Sequence, residues 1–252
     1  MSRSVVVTGG AKGIGRALVA RFAALGDRVI ALGRDERALD LLRGELRSGA
    51  TGEFRAVRCD VTDEAAVVET FAAIGSVDVL VNNAGVSAAA PLARTTLESW
   101  ERQLAVNATG AFLCTRAVAG DMRERGGGAI VTVASTAGRV GAPYTAAYTA
   151  SKHAAVGLMR AVAAELAGTG VRANAVCPTF VETQMTERSV AAIVAATGRS
   201  AQESSAALAS SSPLGRLLDP QEVADAVVWL ASDAARSING QTLILDGGGI
   251  QS

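Results

Sequence analysis

Apolar residues along the chain fall into two kinds of stretch. Short runs rich in β-branched residues occupy 5–7, 28–32, 54–58, 77–81, 129–134, 171–176 and 241–245. Between them, residues 16–25, 36–47, 64–74, 96–125, 146–167 and 220–231 set Ala and Leu at helical spacing. The short runs predict strands buried on both faces, and the longer stretches predict the helices that cover them. Strand and helix alternate, so the pattern predicts an α/β fold: a doubly wound, Rossmann-like parallel sheet with helices on both faces. No linker interrupts residues 1–252, which read as a single domain. The alternation lapses at 183–212, where helical periodicity appears at 189–196 and again at 201–209. That stretch follows the sixth strand at the carboxyl edge of the sheet, where ligands bind in such folds. It is expected to form a helical substrate lid, with a plain surface excursion as the other reading.

The first strand runs into Thr8-Gly9-Gly10-Ala11-Lys12-Gly13-Ile14-Gly15. Glycines between a strand and a helix allow a tight turn and let backbone N–H groups approach a pyrophosphate, which the helix dipole also favours. The spacing is G-x-x-x-G-x-G and not G-x-G-x-x-G, so an ordinary glycine turn is a second reading of this segment taken alone. Where the second strand ends, an acidic residue commonly holds the adenosine ribose. Gly33 and Arg34 stand there instead. A small residue beside a guanidinium suits a 2′-phosphate, with Lys12 as a second cation, and predicts NADP(H). Asp35 is read as the start of the next helix in preference to a ribose ligand. Asp60-Val61 closes the third strand, where an Asp can face the adenine edge. Asn82-Asn83-Ala84-Gly85 closes the fourth and is either a turn or the floor beneath the adenine ribose.

Tyr148 and Lys152 are spaced i, i+4 in a helical stretch and so share a face. An ammonium beside a phenol favours the phenolate and is expected to lower the tyrosine pKa, giving an acid–base group useful near neutral pH. Ser135 follows the fifth strand and can reach the same carbonyl oxygen from the sheet side. A Y-x-x-x-K pair by itself is more often a solvated helical pair. The one histidine, His153, falls on a different helix face from Tyr148 and reads as a packed or surface residue. Trp100 and Trp229 read as core or interface anchors.

Together these segments resemble the 250-residue class of short-chain dehydrogenases/reductases over nearly the full length. The resemblance is carried by residues 8–15, Asp60-Val61, 82–85, Asn107, Ser135, and Tyr148 with Lys152. Asn174-Ala175-Val176-Cys177-Pro178, Asn239-Gly240-Gln241-Thr242 and Asp246-Gly247-Gly248 extend it. It implies an NADP(H)-dependent oxidoreductase in which Tyr148 is the proton donor in reduction and the base in oxidation. It implies that Lys152 also binds the nicotinamide ribose, that Ser135 orients the substrate oxygen, and that Asn107 helps hold a proton-relay water. The implied cofactor shell is Gly9, Lys12, Gly13, Ile14, Gly15, Arg34, Asp60, Val61, Asn83, Ala84, Gly85, Tyr148, Lys152, Pro178, Thr179, Val181 and Thr183. A homotetramer is implied as well. One position departs from the family pattern: Thr179 follows Pro178 where relatives usually have Gly. It is expected to narrow the site or add a hydroxyl near the carboxamide, and it puts the local backbone in question. A non-catalytic nucleotide sensor on this fold would be expected to lose the acid or its lysine, and both are present.

Composition narrows the partners. Basic and acidic residues balance at 24 each, which argues against nucleic acid or an anionic membrane as the main partner. Cys59, Cys114 and Cys177 are widely spaced without a C-x-x-C, so they read as reduced, buried thiols and not as metal ligands. The first ten residues lack the features of a signal peptide and no apolar run approaches a membrane span, so a cytoplasmic protein is expected. The partner is then a small carbonyl or alcohol, carrier- or CoA-linked in one reading. Residues 134–138 and 148–157 resemble ketoreductases of fatty-acid and polyketide synthesis. A 3-oxoacyl thioester is therefore the expected substrate, with small cyclic or aryl ketones as the alternative. Arg123 and Arg125 are expected at the rim of the site, where they could attract an acidic carrier; favourable charge at a helix end is the other reading. The lid is read as offering no charged clamp, which disfavours a carboxylate substrate. Val140, Ala142 and residues 190–194 are expected to line an apolar pocket.

Overall fold

A computed structural model describes residues 2–46 and 53–251. Its strands are β1 (Ser4–Thr8), β2 (Arg28–Gly33), β3 (Phe54–Arg58), β4 (Val79–Asn82), β5 (Gly128–Val133), β6 (Val171–Pro178) and β7 (Thr242–Leu245). They form one parallel sheet in the order β3-β2-β1-β4-β5-β6-β7. The helices are α1 (Gly13–Ala24), α2 (Glu36–Leu46), α3 (Glu64–Ile74), α4 (Leu97–Leu104), α5 (Gly110–Glu124), α6 (Ala146–Glu165), α7 (Gln184–Thr197), α8 (Ala201–Ala209) and α9 (Pro220–Leu230). Arg47, expected to end α2, lies outside the described residues.

Side chains alternate across each strand, so one strand feeds two cores. Val5 and Val7 of β1 pack with Leu18 and Phe22 of α1 and with Val223 and Val227 of α9. Val6, between them, packs on the other face with Phe71 of α3, Leu113 and Met122 of α5, and Met159 of α6. Burial on both faces is why the strands read as apolar runs without alternation. The order reverses between β1 and β4. Their following segments therefore leave to opposite faces and open a crevice at the carboxyl ends of these strands.

Two elements differ from the sequence reading. Residues 96–125 form two helices joined by a π-helical turn, Ala105–Thr109, that carries Asn107. Within 183–212, α7 starts at Gln184, ahead of its apolar stripe, because the Thr183 side chain accepts from the Thr186 backbone N–H. Gly198 ends α7 in the left-handed conformation, and a Ser200–Glu203 capping box starts α8. The base of this excursion is closed: Val181 and Leu218 form a parallel bridge, with Glu182 N donating to Leu218 O at 2.9 Å.

Trp100 and Trp229 are 36% and 43% exposed, so the reading of them as core residues is corrected: each lies on an outward helix face. Cys59, Cys114 and Cys177 are free and buried. No described helix is long and apolar enough to cross a membrane.

Candidate active site

The crevice between β1 and β4 is built around glycines that tolerate no side chain. A Cβ on Gly15 would stand 2.0 Å from the Gly9 carbonyl oxygen and 2.6 Å from Asn83 Nδ2. Gly9 adopts a left-handed φ of 63°. Thr8 and Asn83 strap the loop in place: Thr8 Oγ1 accepts from the backbone N–H groups of Asn83 and Ala84, both at 3.0 Å. Asn83 Nδ2 donates to Thr8 O at 3.0 Å and Gly9 O at 3.2 Å. The 82–85 segment is thus more than a turn, since it holds the glycine loop from the neighbouring strand. Most helices here receive a side-chain cap, among them α3 from Asp63, α4 from Thr96 and α9 from Asp219. At α1 the cap residue is Lys12, which offers no acceptor, and no acid stands in the first turn. The first N–H groups of α1 are therefore left for an anionic ligand, and the lysine adds to the positive field.

The two expected phosphate cations sit at one corner of this crevice, each facing a carboxylate. Lys12 Nζ lies 2.5 Å from Asp35 and Arg34 Nη1 lies 3.3 Å from Asp60. Asp35 also accepts from Ala38 N at 3.2 Å, the helix-start role read from the sequence. Lys12 beside it holds the Asp35 carboxyl below its ordinary pKa. Burial works against ionisation of Asp60, but the Thr62 N–H and hydroxyl, together with Arg34, hold it below its ordinary value. Both ion pairs are solvent-exposed and hence weak, so a phosphate can replace either carboxylate as partner.

At the far end, Ser135 follows β5 in extended conformation and caps a short 3₁₀ turn, accepting from Ala137 N at 3.1 Å. Its hydroxyl meets the Tyr148 phenol in a hydrogen bond. Lys152 is buried, donates to Val133 O at 2.9 Å, and lies 5.8 Å from the Tyr148 ring centroid. Burial pulls the Lys152 ammonium down to about 8. Burial also pushes the phenol above its ordinary value, with the Ser135 hydrogen bond pulling the other way. The expected lowering of Tyr148 by Lys152 is thus corrected: for both groups desolvation is the largest effect. Asn107 is buried and clamps two elements. Its Nδ2 donates to Val86 O and Ser151 Oγ, both at 2.9 Å, and its Oδ1 accepts from Val86 N at 2.8 Å. A Cβ on Gly85 would lie 3.3 Å from Asn107 Oδ1 and 3.6 Å from Lys152 Nζ, so both groups converge beside Gly85.

Known proteins resemble this chain over nearly its full length. The family described as enoyl-(acyl carrier protein) reductase matches residues 9–249. The chain belongs to the short-chain dehydrogenase/reductase family. D-threitol dehydrogenase of Mycolicibacterium smegmatis (strain ATCC 700084 / mc(2)155) is 40% identical over 249 residues, covering 96% of this chain and 91% of that protein. A Phe-to-Trp variant of actinorhodin polyketide ketoreductase, solved with NADPH, is 38% identical with a TM-score of 0.94, covering 98% of this chain and 97% of that one. Levodione reductase is 31% identical with a TM-score of 0.92, covering 98% and 96%.

Within the family frame, the remaining residues find their places. Thr179 donates its N–H to Leu245 O at 3.0 Å. Among the described residues Tyr144 alone, at φ 68°, combines a side chain with positive φ. The Thr179 backbone is therefore not in the left-handed region that favours glycine. Pro178 ends β6, Val181 is buried in the bridge at the lid's base, and Thr183 packs on Gly13, whose added Cβ would lie 3.1 Å from Thr183 Cγ2. Ile14 packs partly buried against one core, and Val61 abuts Gly110 of α5. His153 is exposed, its Nδ1 2.9 Å from Thr149 O. Val140 and Ala142 are exposed, while Val190, Ile193 and Val194 are half-buried. Arg123 and Arg125 are not at the rim. Arg125 pairs with Asp78 at 2.9 Å and donates to Val77 O, at the start of β4, the edge opposite the site. Two contributors were missed by sequence reasoning: Thr8 as a strap and Ser151 as the partner of Asn107. A signal was available for one feature. The chain has two lysines, Lys12 and Lys152, and both stand at this site, while every other basic side chain counted is arginine.

Proposed function

We propose that this short-chain dehydrogenase/reductase reduces the carbonyl of a 3-oxoacyl thioester with NADPH, with Tyr148, Lys152, Ser135 and Asn107 as its catalytic residues. The observation that carries the reading is the Ser135–Tyr148 hydrogen bond beside a buried Lys152, in line with an uncapped α1 N-terminus. The nicotinamide supplies the hydride in reduction and accepts it in oxidation. Tyr148 gives its phenolic proton to the carbonyl oxygen, and Ser135 donates a second hydrogen bond to that oxygen. Lys152 balances the phenolate left behind and binds the nicotinamide ribose. Asn107 keeps Ser151 and the 85–88 loop in register and helps hold the water that returns a proton.

On the cofactor side, Gly9, Gly13, Ile14 and Gly15 bring backbone N–H groups to the pyrophosphate, and Arg34 with Lys12 takes the 2′-phosphate. Asp60 and Val61 meet the adenine, while Asn83, Ala84 and Gly85 underlie its ribose. Pro178, Thr179, Val181 and Thr183 flank the carboxamide. NADP(H) is further supported by the 38%-identical ketoreductase solved with NADPH. Residues 183–212 act as the substrate lid, its base closed by the Val181–Leu218 bridge. The assembly is a homotetramer, and the buried thiols suit the reducing cytoplasm.

The polyketide ketoreductase relative favours the thioester. Levodione reductase favours a second reading, reduction of small cyclic ketones. Oxidation of NADPH with acetoacetyl-CoA, set beside a panel of cyclic ketones, separates them. Turnover of the thioester supports the first reading, and rapid ketone reduction without thioester turnover replaces it with the second.

A further inference from the structure

A cleft of about 280 Å³ opens beside the site, between the 85–88 loop, α4 and α7. Its inner end is Gly85, the point on which Asn107 and Lys152 converge. Its outer walls carry Arg102 from α4 and Arg188 from α7. Both guanidinium-bearing residues are exposed. Among the described residues the ion pairs engage Arg3, Arg16, Arg21, Arg34, Arg43, Arg116, Arg125 and Arg216, but neither Arg102 nor Arg188. Glu98, one turn before Arg102, lines the same cleft without pairing to either. The wall is held by Gln103, whose Oε1 accepts from Ala88 N at 3.1 Å.

We infer that Arg102 and Arg188 form an oxyanion-binding subsite that reads a negatively charged group on the substrate. Two cations from separate elements facing one concave surface repel each other, and an anion between them relieves that repulsion through charge-assisted hydrogen bonds. Arginine presents paired N–H donors that match carboxylate and phosphate oxygens. One of the two lies on the lid, so an anion bound by both would draw α7 toward α4 and close the lid over the carbonyl. On this inference Arg188 supplies half of a charged clamp and α4 the other half, where the Ala and Ser content of 183–212 led none to be expected. The anion has two possible sources, the phosphate of a phosphopantetheine arm or the carboxylate of a compact oxo acid. The inference rests on the proposed carbonyl reduction and specifies what else its substrate carries.

The test is calorimetric titration of the protein, with and without NADP⁺, using phosphopantetheine, acetoacetate and neutral N-acetylcysteamine as probes. At least one anion should bind more tightly than the neutral probe. In the Arg102→Gln/Arg188→Gln variant that anion should weaken by roughly tenfold or more, the loss of charge-assisted hydrogen bonds, with the neutral probe unmoved. Glu98→Gln should tighten the anion. Binding of phosphopantetheine alone assigns the carrier arm, and binding of acetoacetate alone assigns a compact oxo acid. Neither anion exceeding the neutral probe, or equal binding by parent and double variant, overturns the inference. Failure of the proposed reaction would show elsewhere, as a Tyr148→Phe variant that retains turnover while these titrations stay as expected.

Discussion

Lys152 is a buried cation that faces Tyr148 and Cys177 and, among the described residues, has no carboxylate partner. Its pKa of about 8, against an ordinary 10.5, has two consequences of opposite sign. On the proposed mechanism, the charge that supports the departing phenolic proton is lost as pH rises through about 8. The reductive kcat/KM should fall across that point, and a pH profile flat well into the alkaline range would contradict the assignment. For stability, the unfolded chain holds this proton up to its ordinary value while the folded chain releases it earlier. Folding stability from this group therefore rises with pH between the two values. Below them the buried charge costs roughly 3 kcal/mol, at about 1.4 kcal/mol per pKa unit. Lys152→Met should accordingly abolish turnover yet melt no lower than the parent near neutrality, as read by calorimetry. Arg34 answers a different question. Arg34→Ala should raise the KM for NADPH by roughly tenfold, the weight of a charge-assisted contact, and leave that for NADH nearly unchanged.

At the scale of elements, the glycine loop and the N-terminus of α1 form one unit. Gly15→Ala would drive a methyl group into the Gly9 carbonyl, 2.0 Å away, so the loop must open. NADPH binding, followed by fluorescence, should weaken by at least about tenfold, with the far-ultraviolet circular dichroism of the parent retained. The glycines of this unit were legible because their spacing is local. The straps were not: Thr8 and Asn83 meet across 75 residues, and nothing local marks either as a partner of the other. The π-helical turn at Asn107 escaped for a related reason, since helix propensity does not distinguish an extra residue in a turn from continuous helix. At α7 the apolar stripe begins only near Val190, while the start of the helix is set by the Thr183 hydroxyl, a polar signal that periodicity does not register. For Arg123 and Arg125 the second of their two readings holds, charge at the C-terminal end of α5. A helix that crosses between parallel strands runs back from the carboxyl edge, so its C-terminal residues end at the edge away from ligands.

The whole molecule rests on two cores divided by the sheet, and the strand pattern predicted both. Phe22 is fully buried where α1 meets β1 and α9, so Phe22→Ala should cost about 3–5 kcal/mol and lower the thermal midpoint accordingly. An unchanged midpoint would contradict the packing described. Light scattering at micromolar concentration should give four times the monomer mass if the homotetramer is correct. The reaction itself is tested most directly by Tyr148→Phe, which removes the phenolic proton and keeps the ring. NADPH binding and NADPH oxidation should be measured on the same preparation of this variant. Binding within about twofold of the parent, with turnover lower by at least about a hundredfold, is the predicted result for loss of a positioned acid. Turnover near that of the parent would show that Tyr148 is not the proton donor.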